Sequence, residues 1–429
     1  MAASSLEIEN EILTDRNILI LPEGQFKTLE PIYQREIEYL KNVFCGIVYT
    51  HLDRENLKVS QEQILYITGN CLENLKLLDV EATCAKQIYI IEELSYNYLP
   101  SIPTVSLSEV PLIIHGVGVF FRCLFYDKHE TPDDLYFSRI KKAHDFQTLT
   151  ESDKPDLAYR TGIYLTDVVS KDENEDEIEF RLLRCSTNFC GPTDNFREVD
   201  KEILNRVNAV LENTFKIPIS LNHVLAQIYN NKYVVVNERT LKKEKKAVIK
   251  AHSDKTKDIP KNAVIAFVTF YDNLTYKRRS EFDPFDLVYK EDSVLTRLHF
   301  KLKDSVSDPH NILQREFSVK LYPGSVFIIP LSTNRLYTHE IRPSVLPISH
   351  TPTRMGYVIR CSKTSAVFKE GQTYIKTADS GLVPLHEVTP EDKQKIKELY
   401  LLENKYADPV YYPDIFCSLN GGDYKKPIV

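Results

Sequence analysis

Two histidines and an aspartate offer this sequence its clearest chemistry. His252 and Asp254 stand two apart in Ala251-His252-Ser253-Asp254, where a strand-like stretch runs into a lysine-rich loop. Alternate residues of a strand project to one face, so both side chains can reach a single ion. A third donor, His339, lies in Tyr337-Thr338-His339-Glu340-Ile341, after the apolar run Ser325–Pro330. Two imidazoles and one carboxylate on one face of a metal leave other positions open. That is the donor set of non-haem iron(II) centres, which must admit an oxo-acid and O2. Plainer readings exist for each residue: a strand-end histidine, a turn aspartate before Lys255, and a loop cap at His339. His350 is a rival third donor, but it lies only four residues before Arg354, which leaves no strand between them.

Two further features belong with this set. Arg354 opens the strand-like Arg354-Met355-Gly356-Tyr357-Val358-Ile359-Arg360, 15 residues after His339. An oxo-acid held on a metal needs its far carboxylate neutralised, and a guanidinium does so with a bidentate fork. Strand alternation places Arg354 and Arg360 on one side. Ahead of the histidine–aspartate pair, Leu225-Ala226-Gln227-Ile228-Tyr229 offers Gln227 and Tyr229 as additional hydrogen-bonding groups on a common face.

These residues need a β-rich frame. Short strands are expected at 224–229, 232–236, 248–251, 263–271, 295–302, 317–321, 325–330 and 354–361, and their turn-separated pattern indicates a β-sandwich or jelly roll. Residues 159–169 and 178–185 read as earlier strands, with the acidic run 171–177 as a solvated hairpin tip. The interval 197–215 reads as an amphipathic helix, with Val199, Ile203 and Val207 on one face. The first 150 residues read as an α+β region without a motif. Helical stretches are expected there near 30–53, 73–81 and 92–98, and Val110–Tyr126 is expected to form two buried strands joined near Gly116. After Tyr374 the chain turns polar, with one helix over 390–405. The resulting division is 1–150, 151–370 and 371–429, in that order an α+β region, the β core and a helical extension.

Composition sets limits on this. The chain has 429 residues, 42% hydrophobic, with 20 Phe and 25 Tyr, enough for sizeable cores. A net charge of −7 gives no global attraction to nucleic acid, so any basic contact surface is local. Lys242, Lys243, Lys245 and Lys246 form one such run, read either as a solvated loop or as a phosphate contact beside the pocket. The longest apolar stretch, Val110–Tyr126, contains Pro111, His115 and Arg122 and is shorter than the ~20 residues a membrane span requires. No signal-peptide pattern precedes residue 20. The eight cysteines form no Cys-x-x-Cys pair, which points to reduced thiols in a cytoplasmic or nuclear setting. Cys185 and Cys190 make at most half a zinc site. Residues 185–196, rich in turn formers and aromatics, are either a lid or a connector to the following helix.

Taken together, Leu221–Tyr229, His252-Ser253-Asp254, Ile259-Pro260, Val264–Phe267, Pro323-Gly324-Ser325, His339 and the arginine pair at 354 and 360 resemble the AlkB-type branch of 2-oxoglutarate dioxygenases over about residues 180–370. The resemblance implies a double-stranded β-helix (jelly-roll) core of α+β class. It implies iron(II) on His252, Asp254 and His339, with 2-oxoglutarate and O2 as co-substrates and no catalytic side chain beyond the metal centre. Arg354 would pair with the distal carboxylate, Tyr229 and Gln227 would bond the same co-substrate, and Arg360 would lie near its proximal carboxylate or the reacting carbon. The family usually has asparagine where this chain has Gln227. This chain also carries extra residues between Tyr229 and His252 and a wide interval from Asp254 to His339, where substrate-facing loops belong. The implied activity is oxidative hydroxylation or demethylation. The implied partner is alkylated or single-stranded nucleic acid, with Lys242, Lys243, Lys245 and Lys246 as substrate contacts. A protein or small-molecule hydroxylase, and a non-catalytic binding module on the same scaffold, are the competing readings.

Overall fold

The computed structural model describes residues 10–21, 31–50, 59–78, 84–97, 99–126, 135–151, 154–171, 177–235, 242–272, 274 and 278–429. Sheets dominate and helices are few. Eight strands frame the centre of the molecule: β1 (His223–Tyr229), β2 (Ile249–His252), β3 (Val264–Tyr271), β4 (Arg297–Leu302), β5 (Glu316–Lys320), β6 (Ser325–Pro330), β7 (Tyr337–Ile341) and β8 (Arg354–Arg360). They form two antiparallel groups. One runs β1-β8-β3-β6, and the other runs β2-β7-β4-β5. The chain therefore crosses between the sheets at almost every connection.

Residue pattern explains which sheet each strand joins. β3 (VIAFVTFY) and β6 (SVFIIP) are buried throughout and, apart from Thr269 and Ser325, apolar, as expected of strands covered on both faces. Their outer face packs on helices: Tyr136 of the helix Tyr136–Ala143 stacks on Phe270 of β3 with centroids 5.2 Å apart. Strands β4 (RLHFKL) and β5 (EFSVK) alternate buried and exposed residues, the signature of a sheet with one wet face. Between the sheets Phe300 of β4 meets Phe327 of β6 edge-on at 5.6 Å, within one continuous core.

Further strands widen this frame. Lys154–Thr166 pairs with β1, and Gly118–Phe121 pairs with β6 and with Leu112–Ile114, so the first sheet reaches ten strands. Near the N-terminus lies an all-parallel five-stranded sheet built from Asn17–Ile20, Ile47–Tyr49, Ile64–Asn70, Gln87–Tyr96 and Thr104–Val105. One face packs Ile18, Ile20, Leu65, Ile67 and Ile90 against Leu75 of a helix, and the other joins the main core through Leu19, Leu21 and Tyr66. Of the interval 92–98, expected to be helical, residues 92–96 belong instead to the strand Gln87–Tyr96, and residue 98 lies outside the described residues. Its paired isoleucines suit an inner parallel strand. A further five-stranded sheet contains Glu177–Leu182, Thr364–Lys369, Gln372–Thr377 and Gly381–Pro384. Its last strands extend into the region read as polar from sequence. Residues 172–176 of the acidic run lie outside the described residues.

The helix Pro390–Lys405 forms as its sequence dictates. Thr389 caps it by accepting from the Asp392 N–H, Asp392 returns a bond to Thr389, and Pro390 occupies the first turn. Among the described residues no helix is long and apolar enough to cross a membrane, and no two cysteines are bonded.

Candidate metal centre

Pairing of β2 with β7 sets His252 directly opposite His339, so two residues 87 apart in sequence become neighbours. Their rings lie 4.4 Å apart between centroids. Asp254, two residues past the end of β2, turns its Oδ1 toward both. The distances are 3.7 Å to His252 Nε2 and 3.9 Å to His339 Nε2. One donor atom from each of the three side chains lies within 4.8 Å of the others. Metal–ligand bonds of roughly 2.1 Å meeting at right angles would separate donors by about 3 Å. Asp254 Oδ1 therefore needs to close on each imidazole by less than an ångström for an ion to be shared.

Protonation favours the same use. His252 Nδ1 lies 2.8 Å from the Lys250 carbonyl. A carbonyl only accepts, so Nδ1 carries the proton and the neutral ring presents the Nε2 lone pair toward Asp254. Burial, and secondarily the neighbouring His252, push His339 down to about 3, so its imidazole is neutral. Burial acting alone would raise the carboxyl of Asp254, yet Arg360 and then the two imidazoles hold it well below the usual carboxylate range. Two neutral imidazoles and a carboxylate are what a divalent ion requires.

Arg360 aims this carboxylate. Its Nε and Nη2 donate to Asp254 Oδ2 at 2.9 and 2.8 Å, which leaves Oδ1 for the histidines. The backbone of Asp254 is gripped by Asn334, which accepts from its N–H at 2.8 Å and donates to its carbonyl at 2.9 Å. Phe267 and Phe300 wall the His339 ring at 5.3 and 5.8 Å.

The helix Pro390–Lys405 holds the segment that follows β2. Asn404 Oδ1 accepts from the Ser253 N–H at 2.9 Å and from Lys255 Nζ at 2.7 Å. Glu403 accepts from the Thr256 N–H at 3.0 Å and from its hydroxyl. Asn334, Glu403 and Asn404 carry no motif. Their role appears only when segments far apart in sequence meet.

A second cluster stands at the other end of β8. Arg354 is only 6% exposed, and among the described residues no carboxylate pairs with it. Its guanidinium lies over the Tyr229 ring at 4.2 Å. Gly356 makes that stack possible, since a Cβ there would sit 3.0 Å from Arg354 Nη1 and 3.1 Å from Tyr229 Cε2. The Tyr229 hydroxyl donates to Gln227 Oε1 at 2.9 Å. Two buried donors on this sheet, Gln227 Nε2 and Arg360 Nη1, have no hydrogen-bond partner. Buried charges and donors are ordinarily satisfied, so the interior asks for an anionic, oxygen-rich ligand. Such a ligand would lie between Arg354 and the histidine–aspartate set.

The lysine run is a strand, not a loop. Lys242–Lys245 pairs with Lys232–Val235 in a hairpin between β1 and β2. Lys243 and Lys245 are exposed. Lys246 instead turns back to the Ser344 carbonyl at 2.9 Å. His350 stacks on Tyr289 at 3.6 Å and joins no group of metal donors, nor do Cys185 and Cys190 among the described residues. A cleft of about 940 Å³, lined by Arg278, Arg279, Tyr289 and His350 among others, opens beyond the Arg354 end. There the Asp272 N–H donates to the Thr353 carbonyl.

No family model matches this sequence, and no curated protein matches it. Among solved structures, OsALKBH1 is similar over 57% of this chain and 96% of its own, at 14% identity and a TM-score of 0.30. A Pseudomonas putida prolyl-4-hydroxylase is similar over 44% of this chain and 69% of its own, at 13% identity and a TM-score of 0.22. Likeness at this level assigns neither activity nor substrate.

Proposed function

We propose that this chain is an iron(II)- and 2-oxoglutarate-dependent dioxygenase on a double-stranded β-helix. The observation that carries the reading is the convergence of His252, Asp254 and His339 on the inner face of two sheets between which the chain alternates. When bound, iron(II) with 2-oxoglutarate supplies O2-dependent hydroxylation of a C–H bond, with loss of CO2 and succinate. The protein's share is orientation and exclusion of water. Three donors on one side of the ion leave the opposite side for co-substrates. Arg354, supported by Tyr229 and Gln227, would take the distal carboxylate of the oxo-acid, and Arg360 would keep Asp254 monodentate.

The substrate is read as a phosphate-bearing strand with an alkylated base. The hairpin supports this: Lys232 and Lys245 are directly opposed, and Lys243 and Val234 pair on the same face. A local cluster of cations on one face attracts a polyanion even where the net charge of the chain is negative. The test is succinate release by protein supplied with iron(II), 2-oxoglutarate and O2, with and without methylated single-stranded oligonucleotides. Release should vanish in Asp254→Ala, and stimulation by oligonucleotide should vanish in Lys243→Glu/Lys245→Glu. Absence of release from wild type would remove the oxygenase reading. Stimulation that survives the double reversal would remove the role given to the hairpin.

A further inference from the structure

We infer that the C-terminal extension carries a second metal site, for a zinc-class divalent cation, formed by His386, Asp392 and Cys417. One donor atom from each of these side chains lies within 4.8 Å of the others, the same convergence as at the first centre. His386 Nδ1 and Asp392 Oδ2 are 3.8 Å apart. The donors come from three segments: the link after the strand Gly381–Pro384, the first turn of the helix Pro390–Lys405, and the irregular stretch that follows it. Thiolate and imidazole select zinc-class ions over magnesium or calcium.

Each donor has capacity to spare. Asp392 Oδ2 accepts from the Thr389 N–H and hydroxyl at 3.2 and 3.0 Å, and a carboxylate offers about four acceptor positions. His386 Nδ1, the atom 3.8 Å from Asp392, also lies 2.9 Å from the Glu387 carbonyl; binding a cation there exchanges that contact for the metal, with the ring proton on Nε2. Cys417 is fully buried while His386 is half exposed. A cation would enter from the His386 side, displace the thiol proton of Cys417 and keep a water in its fourth position.

The site also has a structural rationale. The cluster around this site is small, with Ile396, Tyr400 and Cys417 as its buried residues, and little-cored modules are often stapled by a metal. The same helix reaches the first centre through Glu403 and Asn404, so the staple would steady the element that braces the iron-binding loop.

Cobalt(II) separates the two sites, because only this one has sulfur among its donors. The full-length chain carrying His252→Ala, which disables the first centre, is titrated with cobalt(II) while near-ultraviolet thiolate-to-cobalt absorption is followed. One equivalent should produce the band. Adding Cys417→Ser should abolish it, and adding His386→Ala, at a solvent-facing position, should weaken binding at least ~10-fold. If Cys417→Ser fails to fold by circular dichroism, His386→Ala decides. No thiolate band, or a band unaffected by His386→Ala, overturns the site.

Discussion

Replacing Arg354 with methionine probes the oxo-acid pocket without disturbing its shape. Methionine keeps an unbranched apolar stem over the Tyr229 ring, where the guanidinium now lies at 4.2 Å, and removes only the charge and the donors. Hydrogen bonds to charged groups contribute ~1.5–3 kcal/mol each. A bidentate pair with a carboxylate is therefore worth roughly 3–6 kcal/mol, and its loss should raise KM for 2-oxoglutarate by about 10²–10⁴-fold. The protein without co-substrate should behave oppositely. Arg354 is 6% exposed and has no carboxylate partner among the described residues. Taking away an uncompensated buried charge should leave the melting temperature unchanged or raised. Thermal unfolding with and without the co-substrate reads both effects. At 100 times Kd, 2-oxoglutarate stabilises the wild type by about 2.7 kcal/mol, and at the same concentration it should stabilise the variant by less than about 0.5 kcal/mol. Unchanged KM together with an undiminished ligand-induced shift would refute the assignment of Arg354 to the co-substrate.

Two other perturbations address the surroundings. Asn404→Ala removes the acceptor shared by the Ser253 N–H and Lys255 Nζ, so metal affinity at the first centre should fall by ~10-fold. A lower melting temperature with unchanged metal affinity would make the contact merely structural. Buried His144 donates to Asp194 at 2.7 Å and to Asp200 at 2.8 Å. Burial alone would lower it, but the two carboxylates outweigh burial and raise it to about 9. A folded-state value above the unfolded one gives stability that is complete below the unfolded pKa of ~6.5 and lost as pH rises through about 9. The difference in urea stability between wild type and His144→Gln should therefore shrink by about 3 kcal/mol from pH ~6 to pH ~10. A constant difference would show that His144 is neutral throughout.

Local rules made part of this architecture legible. The helix Pro390–Lys405 announces itself by its threonine cap, its proline and the aspartate three residues on. Alternation in β8 puts Arg354 and Arg360 on one face, and the two-residue spacing of His252 and Asp254 makes a shared ion conceivable. What sequence withholds is register. Nothing local says that His252 faces His339, that Arg360 takes one oxygen of Asp254, or that Asn404 reaches back to Ser253. Charge also masks structure: Lys242–Lys245 reads as a loop because the residues it pairs with, Tyr233 and Val234 among them, lie on another strand. The end of the inner parallel strand Gln87–Tyr96 resembles a helix in sequence, since so short a mixed stretch has no decisive period. The trio His386, Asp392 and Cys417 has no recognisable spacing, and only folding assembles it.

The central claim is that His252, Asp254 and His339 hold one iron(II) ion that also chelates an oxo-acid. Anaerobic titration of iron(II) into protein with 2-oxoglutarate tests it directly, by the weak visible charge-transfer absorption of the chelate. The band should saturate at one equivalent and be absent in folded His339→Ala. A folded wild-type protein that develops no such band, or a band that His339→Ala retains at full strength, would contradict the account.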